Sequence, residues 1–109
     1  MYWVIRTNKT TVYNEKLKWL ENMNNKELVK IFKAVGNERR LLILKHIFSK
    51  KELTVGQISQ LIDLSFKSVS RHMSVLSNVN LVDARKVNLS KFYFIDTKSS
   101  KEFIKFLKS

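Results

Sequence analysis

TVGQISQLIDLSFKSVSRHMSVL, residues 54–76, is the stretch on which the fold turns. Thr54 and Gln57 have the spacing of a capping box, in which each side chain takes the other's backbone N–H. Ile58, Leu61 and Ile62 follow at helical spacing and predict a short amphipathic helix. Asp63-Leu64-Ser65 reads as a tight turn, and Ser65 can cap what comes next. There Val69, Met73 and Leu76 repeat at i, i+4 and i+7, the stripe of a buried helix face. Lys67, Ser68, Ser70 and Arg71 fall on the opposite side, without an acid among them. Two short helices joined by a few residues, the second basic outside its apolar stripe, form the helix-turn-helix pattern.

Working toward the N-terminus, Asn37 can cap a helix whose inward residues are Leu41, Leu44, Ile47 and Phe48, with Ile43 flanking. Before it, Asn24 and Glu27 open another helix with the stripe Leu28, Ile31, Phe32 and Val35. Gly36 stands where a C-terminal cap favours positive φ. From about Thr11 a further helix carries Tyr13, Leu17, Leu20 and Met23 on one side, with Trp19 beside them. The opening YWVI is apolar and β-prone, and reads either as a short arm on the core or on a partner chain or as a loose segment. Toward the C-terminus the period changes after Asn80. LVDARKV and KFYFID, joined at Asn88-Leu89-Ser90, predict a β-hairpin wing. TKSSKEFIKFLK then predicts a helix with Phe103, Ile104, Phe106 and Leu107 clustered and Lys98, Lys101, Lys105 and Lys108 elsewhere. A Phe-rich helix at a chain end needs cover, from the core or from a second subunit. The expected fold is mainly α: a winged helix-turn-helix of about five to six helices with a two-stranded wing. It forms one domain over residues 1–109, with residues 1–23 and 98–109 available for dimerisation.

Composition sets the limits. A chain of 109 residues suits one domain. At that size roughly 60–70% of the unfolded surface is buried, so the core is thin and dimerisation is a natural way to thicken it. Lys and Arg number 21 against 9 Asp and Glu, a formal charge of +12. Such a balance attracts polyanions, although AT-rich codon usage would also enrich Lys, Asn and Ile. There is no cysteine, which removes disulfides, thiolate metal sites and cysteine nucleophiles together. No apolar run approaches the roughly 20 residues that span a bilayer, and MYWVIRTNKT turns polar too early for a signal peptide. A cytoplasmic protein without membrane association is expected. No nucleophile–base pair, phosphate-cradling Gly loop or suggestive carboxylate pair is present, so no enzyme is expected. His46 and His72 are the only histidines and have no zinc-like spacing, so neither a metal nor another cofactor is expected.

From about Leu28 to Ile95 the chain resembles the ArsR family of winged-helix transcriptional regulators. AVGNERRLLILKHI is similar to that family's Ala-Leu, small residue, Asp-Pro-x-Arg-Leu-x-Ile-Leu stretch. Ser68-Val69-Ser70-Arg71-His72-Met73, closing on Leu76 and Leu81-Val82, resembles its recognition-helix signature. Many members sense metals through Cys-x-Cys in the helix before the turn, where this chain has Thr54 and Gly56. A second metal site of the family uses Asp, His and Glu on the terminal helix, which here offers only Glu102. The resemblance therefore implies a regulator without the metal-sensing role. The family's Pro and its wing Gly are absent as well.

The candidate DNA contacts are Phe66, Lys67, Ser68, Ser70, Arg71 and His72 on the recognition helix, with Arg85, Lys86 and Lys91 on the wing. Arg can fork onto guanine O6 and N7, Ser can bond a base or a phosphate, and Phe can touch a thymine methyl. Phe66 can instead pack inward as a staple, and His72 packs or bonds a phosphate. A basic hairpin can follow the backbone or enter the minor groove. The expected function is a sequence-specific, double-stranded DNA-binding regulator, acting as a homodimeric repressor with an unknown effector. The alternatives are a winged-helix protein-docking module and a sequence-indifferent architectural protein.

Overall fold

The structure, a computed structural model, describes residues 20–21, 23–96, 101 and 103–105. The N-terminal arm and most of the helix expected from Thr11 lie outside the described residues. So do Phe106 and Leu107 of the terminal helix.

The elements run α1 (Asn25–Val35), α2 (Glu38–Lys50), β1 (Glu52–Leu53), α3 (Val55–Ile62), α4 (Phe66–Asn78), β2 (Asp83–Val87) and β3 (Ser90–Phe94). Each helix starts at the side chain that the sequence offers as its cap. Asn24 Oδ1 accepts from the Glu27 N–H at 2.8 Å, Asn37 Oδ1 from Arg40 at 3.0 Å and Ser65 Oγ from Ser68 at 3.1 Å. Thr54 and Gln57 complete the reciprocal box, at 3.1 and 2.9 Å. Asp63 ends α3 in the left-handed region, at φ 52° and ψ 55°, a conformation that Asp tolerates better than most residues. The Ser59 hydroxyl donates to the Leu64 carbonyl and closes the turn into α4. Ser65→Ala should therefore cost about 1 kcal/mol, the usual worth of an N-cap, and a urea melt of the variant measures it.

Gly36 departs from expectation. Its φ is −75°, so no left-handed cap is formed, and its N–H bonds the Phe32 carbonyl at 2.8 Å. The constraint is proximity: a Cβ at this position would lie 3.0 Å from the Phe32 carbonyl oxygen.

The core is centred on α2 and α4. Ile43, Leu44 and Ile47 are fully buried against Val69, Met73 and Leu76, with Ile58 of α3 and Leu81 beside them. Here too the residues shift from their expected places. Ile43 is central and not flanking, while Leu41 and Phe48 are half-buried. The reason is that α1, α3, α4, β1 and β3 all pack on α2, so its buried arc is wider than one stripe. On the two peripheral helices the stripe is narrower. Ala34 replaces Phe32 in the interior of α1, and Phe32 stays half-exposed against Phe103, with ring centroids 6.0 Å apart. Leu61 of α3 is exposed, because only the Ile58 side of that short helix meets the core. Phe103 and Ile104 are buried in this chain's own core, which supplies part of the cover that the terminal helix needs.

The wing belongs to a sheet of three strands, where the sequence suggested two. The order is β1-β3-β2, all antiparallel. β1 is two residues long and follows Lys51, whose φ of 78° turns the chain out of α2. So short a strand carries no periodicity to read. β2 and β3 are joined by a two-residue turn at Asn88 and Leu89, with Asn88 at φ 58°. Asn accepts that conformation in place of the absent glycine.

Candidate nucleic-acid interface

One face of α4 is locked into the core by Val69, Met73 and Leu76. At about 100° per residue, Phe66, Lys67, Ser70 and Arg71 share the other face. Phe66 is 62% exposed, so of its two expected placements the outward one is realised. Lys67 and Arg71 are exposed and have no partner among the described residues. Ser70 is half-buried between them. Ser74, also exposed, continues the same row at i+3 from Arg71 and was recoverable from the i+7 spacing to Lys67. Ser68 is drawn into the cap. Its Oγ accepts from the Ser65 hydroxyl at 3.0 Å, leaving its own proton to donate. From Leu64 to Val82 the chain has no acidic residue, so the helix itself carries no acid to offset its positive charge.

His72 points elsewhere. It is half-buried, and its Nδ1 lies 3.3 Å from a terminal nitrogen of Arg40 on α2. Burial, then the charges of Arg40 and Arg39, hold its imidazole below the ordinary range. Sequence reasoning missed both arginines, because nothing in the local pattern reports a contact across 32 positions.

The wing separates residues that the sequence grouped. Side chains alternate across a strand. The register Lys86↔Lys91 and Ala84↔Tyr93 puts the two lysines on the Tyr93 and Leu53 side, which faces the core. Arg85, opposite Phe92, lies on the other side with Glu52. There it forms a two-pronged pair with Glu52, at 3.0 and 2.8 Å, and its guanidinium sits 5.3 Å from the centre of the Phe92 ring. The hydrogen bond to Arg85 lowers the Glu52 carboxyl below its usual range, and Glu52 raises Arg85. Arg85 is thus a compensated cation, unlike Lys86 and Lys91. Lys91 also rests 5.3 Å from the Tyr93 ring. Lysines directly opposite each other repel, so the tip of the wing concentrates positive charge.

The positions that bear metal-binding cysteines in many ArsR proteins are otherwise engaged here, Thr54 as the cap of α3 and Gly56 in its first turn. Residues 37–84 match the model of the bacterial regulatory proteins of the arsR family. The transcriptional activator HlyU of Vibrio cholerae is 36% identical over 84 residues, which is 77% of each chain. The chain belongs to the ArsR family. Further ArsR relatives include the cadmium resistance regulatory protein CadC of Listeria innocua, 32% identical over 70% of this chain and 64% of its own length. The crystal structure of HlyU from Vibrio vulnificus superposes with a TM-score of 0.69 at 35% identity, covering 84% of this chain and 94% of that one. This ArsR protein is accordingly a transcriptional regulator with a winged helix-turn-helix fold.

Proposed function

We propose that this protein binds double-stranded DNA sequence-specifically as a homodimer and represses by occluding a promoter, without a metal effector. The observation that carries this reading is the face of α4. Lys67 and Arg71 project i, i+4 from a helix whose opposite face is fixed in the core, in an acid-free stretch from Leu64 to Val82 and without an ion pair among the described residues. Lys67 also stands in the first turn of α4, where a cation opposes the helix dipole by about 0.3–1 kcal/mol. A phosphate at that helix end would reverse the sign of the interaction. Arg71 and Ser70 suit base edges, Phe66 a thymine methyl, and Lys67, Ser68, Lys86 and Lys91 the backbone. His72 enters through the contact with Arg40, and Arg85 contributes chiefly by bracing the wing. Dimerisation is supported by the half-exposed Val29 and Phe32 on α1 beside Phe103, in a chain whose core is small. Among the described residues no helix is long and apolar enough to cross a membrane and no three candidate ligands converge on a metal site. The 109 residues also contain no cysteine for a thiol-based switch.

The test is selection of a duplex from a random pool, followed by footprinting. Protection should cover two half-sites about one helical turn apart, bound roughly a thousandfold or more tighter than random DNA. Run-off transcription from a promoter overlapping the site should fall. Zinc or cadmium should leave the complex intact. Equal affinity for random and selected duplexes would remove the specific-regulator reading. A rise in transcription would instead give this chain the role named for HlyU.

A further inference from the structure

Arg40 ties three elements together. Its backbone N–H is capped by Asn37 at 3.0 Å, and its Nε donates to the Ala34 carbonyl in the last turn of α1 at 2.6 Å. A terminal nitrogen then reaches α4, 3.3 Å from His72 Nδ1. A guanidinium only donates, so Nδ1 accepts and the neutral ring carries its proton on Nε2. Burial and the charges of Arg40 and Arg39 oppose a second proton on this ring. Neither arginine makes an ion pair among the described residues. α3 has no charged residue, the other charges of α4 are the cations Lys67 and Arg71, and neither Lys26, Glu27, Lys30 and Lys33 of α1 nor Glu38, Lys45, His46 and Lys50 of α2 are among the groups that act on His72. Arg40 and His72 therefore meet across two elements, with Arg39 next to Arg40 in the first turn of α2, and Glu38, the acid of that turn, makes no ion pair with either arginine among the described residues.

We propose that Arg39, Arg40 and His72 form a seat for one backbone phosphate of DNA, shared by the first turn of α2 and the recognition helix. The proposal rests on the DNA-binding reading above and deepens it, adding Arg39 and Arg40 and giving His72 a defined part. In the free protein Arg40 donates to His72 Nδ1. When a phosphate arrives, one proton from solvent adds to Nδ1, and the ring becomes a donor at both nitrogens. Arg40 releases the ring, and both groups donate to phosphate oxygens. The anion offsets the repulsion that keeps the free ring neutral. One hydrogen bond within the protein is given up, two to phosphate oxygens are made, and one proton is taken up per seat. The imidazole titrates below its ordinary range when free and higher when bound, so affinity rises as pH falls between those two limits. The ceiling is about tenfold per pH unit for each proton.

The experiment measures affinity of the full chain for its selected duplex between pH 5.5 and 8 and across a salt series. The wild type and a His46→Gln control should gain several-fold in affinity per pH unit on acidification. His72→Gln should be nearly flat. Arg39→Gln changes an exposed residue and should lower the salt slope by about one per seat. It should also abolish ethylation interference at one phosphate of each half-site, a readout available even if His72→Gln fails to fold. A contact that merely steadies α4 would move neither the pH profile nor the salt slope. If His72→Gln tracks the wild type at every pH, or Arg39→Gln keeps the full salt slope, the seat is refuted while the DNA-binding reading stands. Absence of any specific duplex for the wild type would refute the reading beneath it.

Discussion

The double variant Lys67→Glu, Arg71→Glu should lose affinity for the selected duplex by at least about a thousandfold while staying folded. Lost base contacts cost roughly 1–3 kcal/mol each. In the proposed dimer, Arg71 supplies one such contact per subunit, and the lost Lys67 phosphate contacts together with the new repulsion from the DNA backbone bring the total past the ~4 kcal/mol that a thousandfold requires. Folding should hardly notice. Both side chains are exposed, lie opposite the Val69–Met73–Leu76 stripe and have no partner among the described residues. Such substitutions usually fall within about ±0.5 kcal/mol, and a glutamate at position 67 suits the positive end of the helix better than lysine does. Single variants separate the roles. Arg71→Ala should flatten preference at one base pair, whereas Lys91→Ala should weaken all sequences alike and lower the salt slope by about one. Gel shift on selected and random duplexes, paired with thermal melts, reads all of these. A folded double variant that binds DNA like the wild type would move the protein-docking alternative ahead.

Met73→Ala should be severely destabilising. Met73 is completely buried at the middle of α4, within the cluster of Ile43, Leu44, Ile47 and Ile58. Truncation removes apolar contacts and leaves a cavity that close-packed neighbours fill only in part, at about 2–5 kcal/mol. Domains of this size are stable by about 5–15 kcal/mol in total, so a large share of the margin is lost. The melting temperature should drop by about 8 °C or more, on the basis of about 4–8 °C per kcal/mol. DNA affinity measured well below the new midpoint should change far less. Wild-type stability in this variant would contradict the packing described for α4.

These two substitutions sit on opposite faces of one helix, and the sequence by itself distinguished the faces. The caps at Asn24, Asn37, Thr54 and Ser65 were legible because each depends on a side chain within three residues of the N–H it satisfies. The burial of Val69, Met73 and Leu76 was legible because a helix repeats every 3.6 residues whatever surrounds it. The hairpin was legible from its change of period. Tertiary structure alone decided the rest. How wide a stripe becomes depends on how many elements pack on it, which brought Ile43 to the centre of α2 and left Leu61 and Phe32 at the surface. β1 exists only because β3 passes beside Glu52 and Leu53. Arg85 was counted with Lys86 and Lys91 because all three are basic, yet strand register placed it on the other face, against Glu52. Arg40 and His72 meet across 32 positions. Pairings of that kind come from helices docking on a common core, and no local spacing encodes them. The sequence determined which side of each helix turns inward; the packing of those helices on one another decided which charges meet a partner and which remain free.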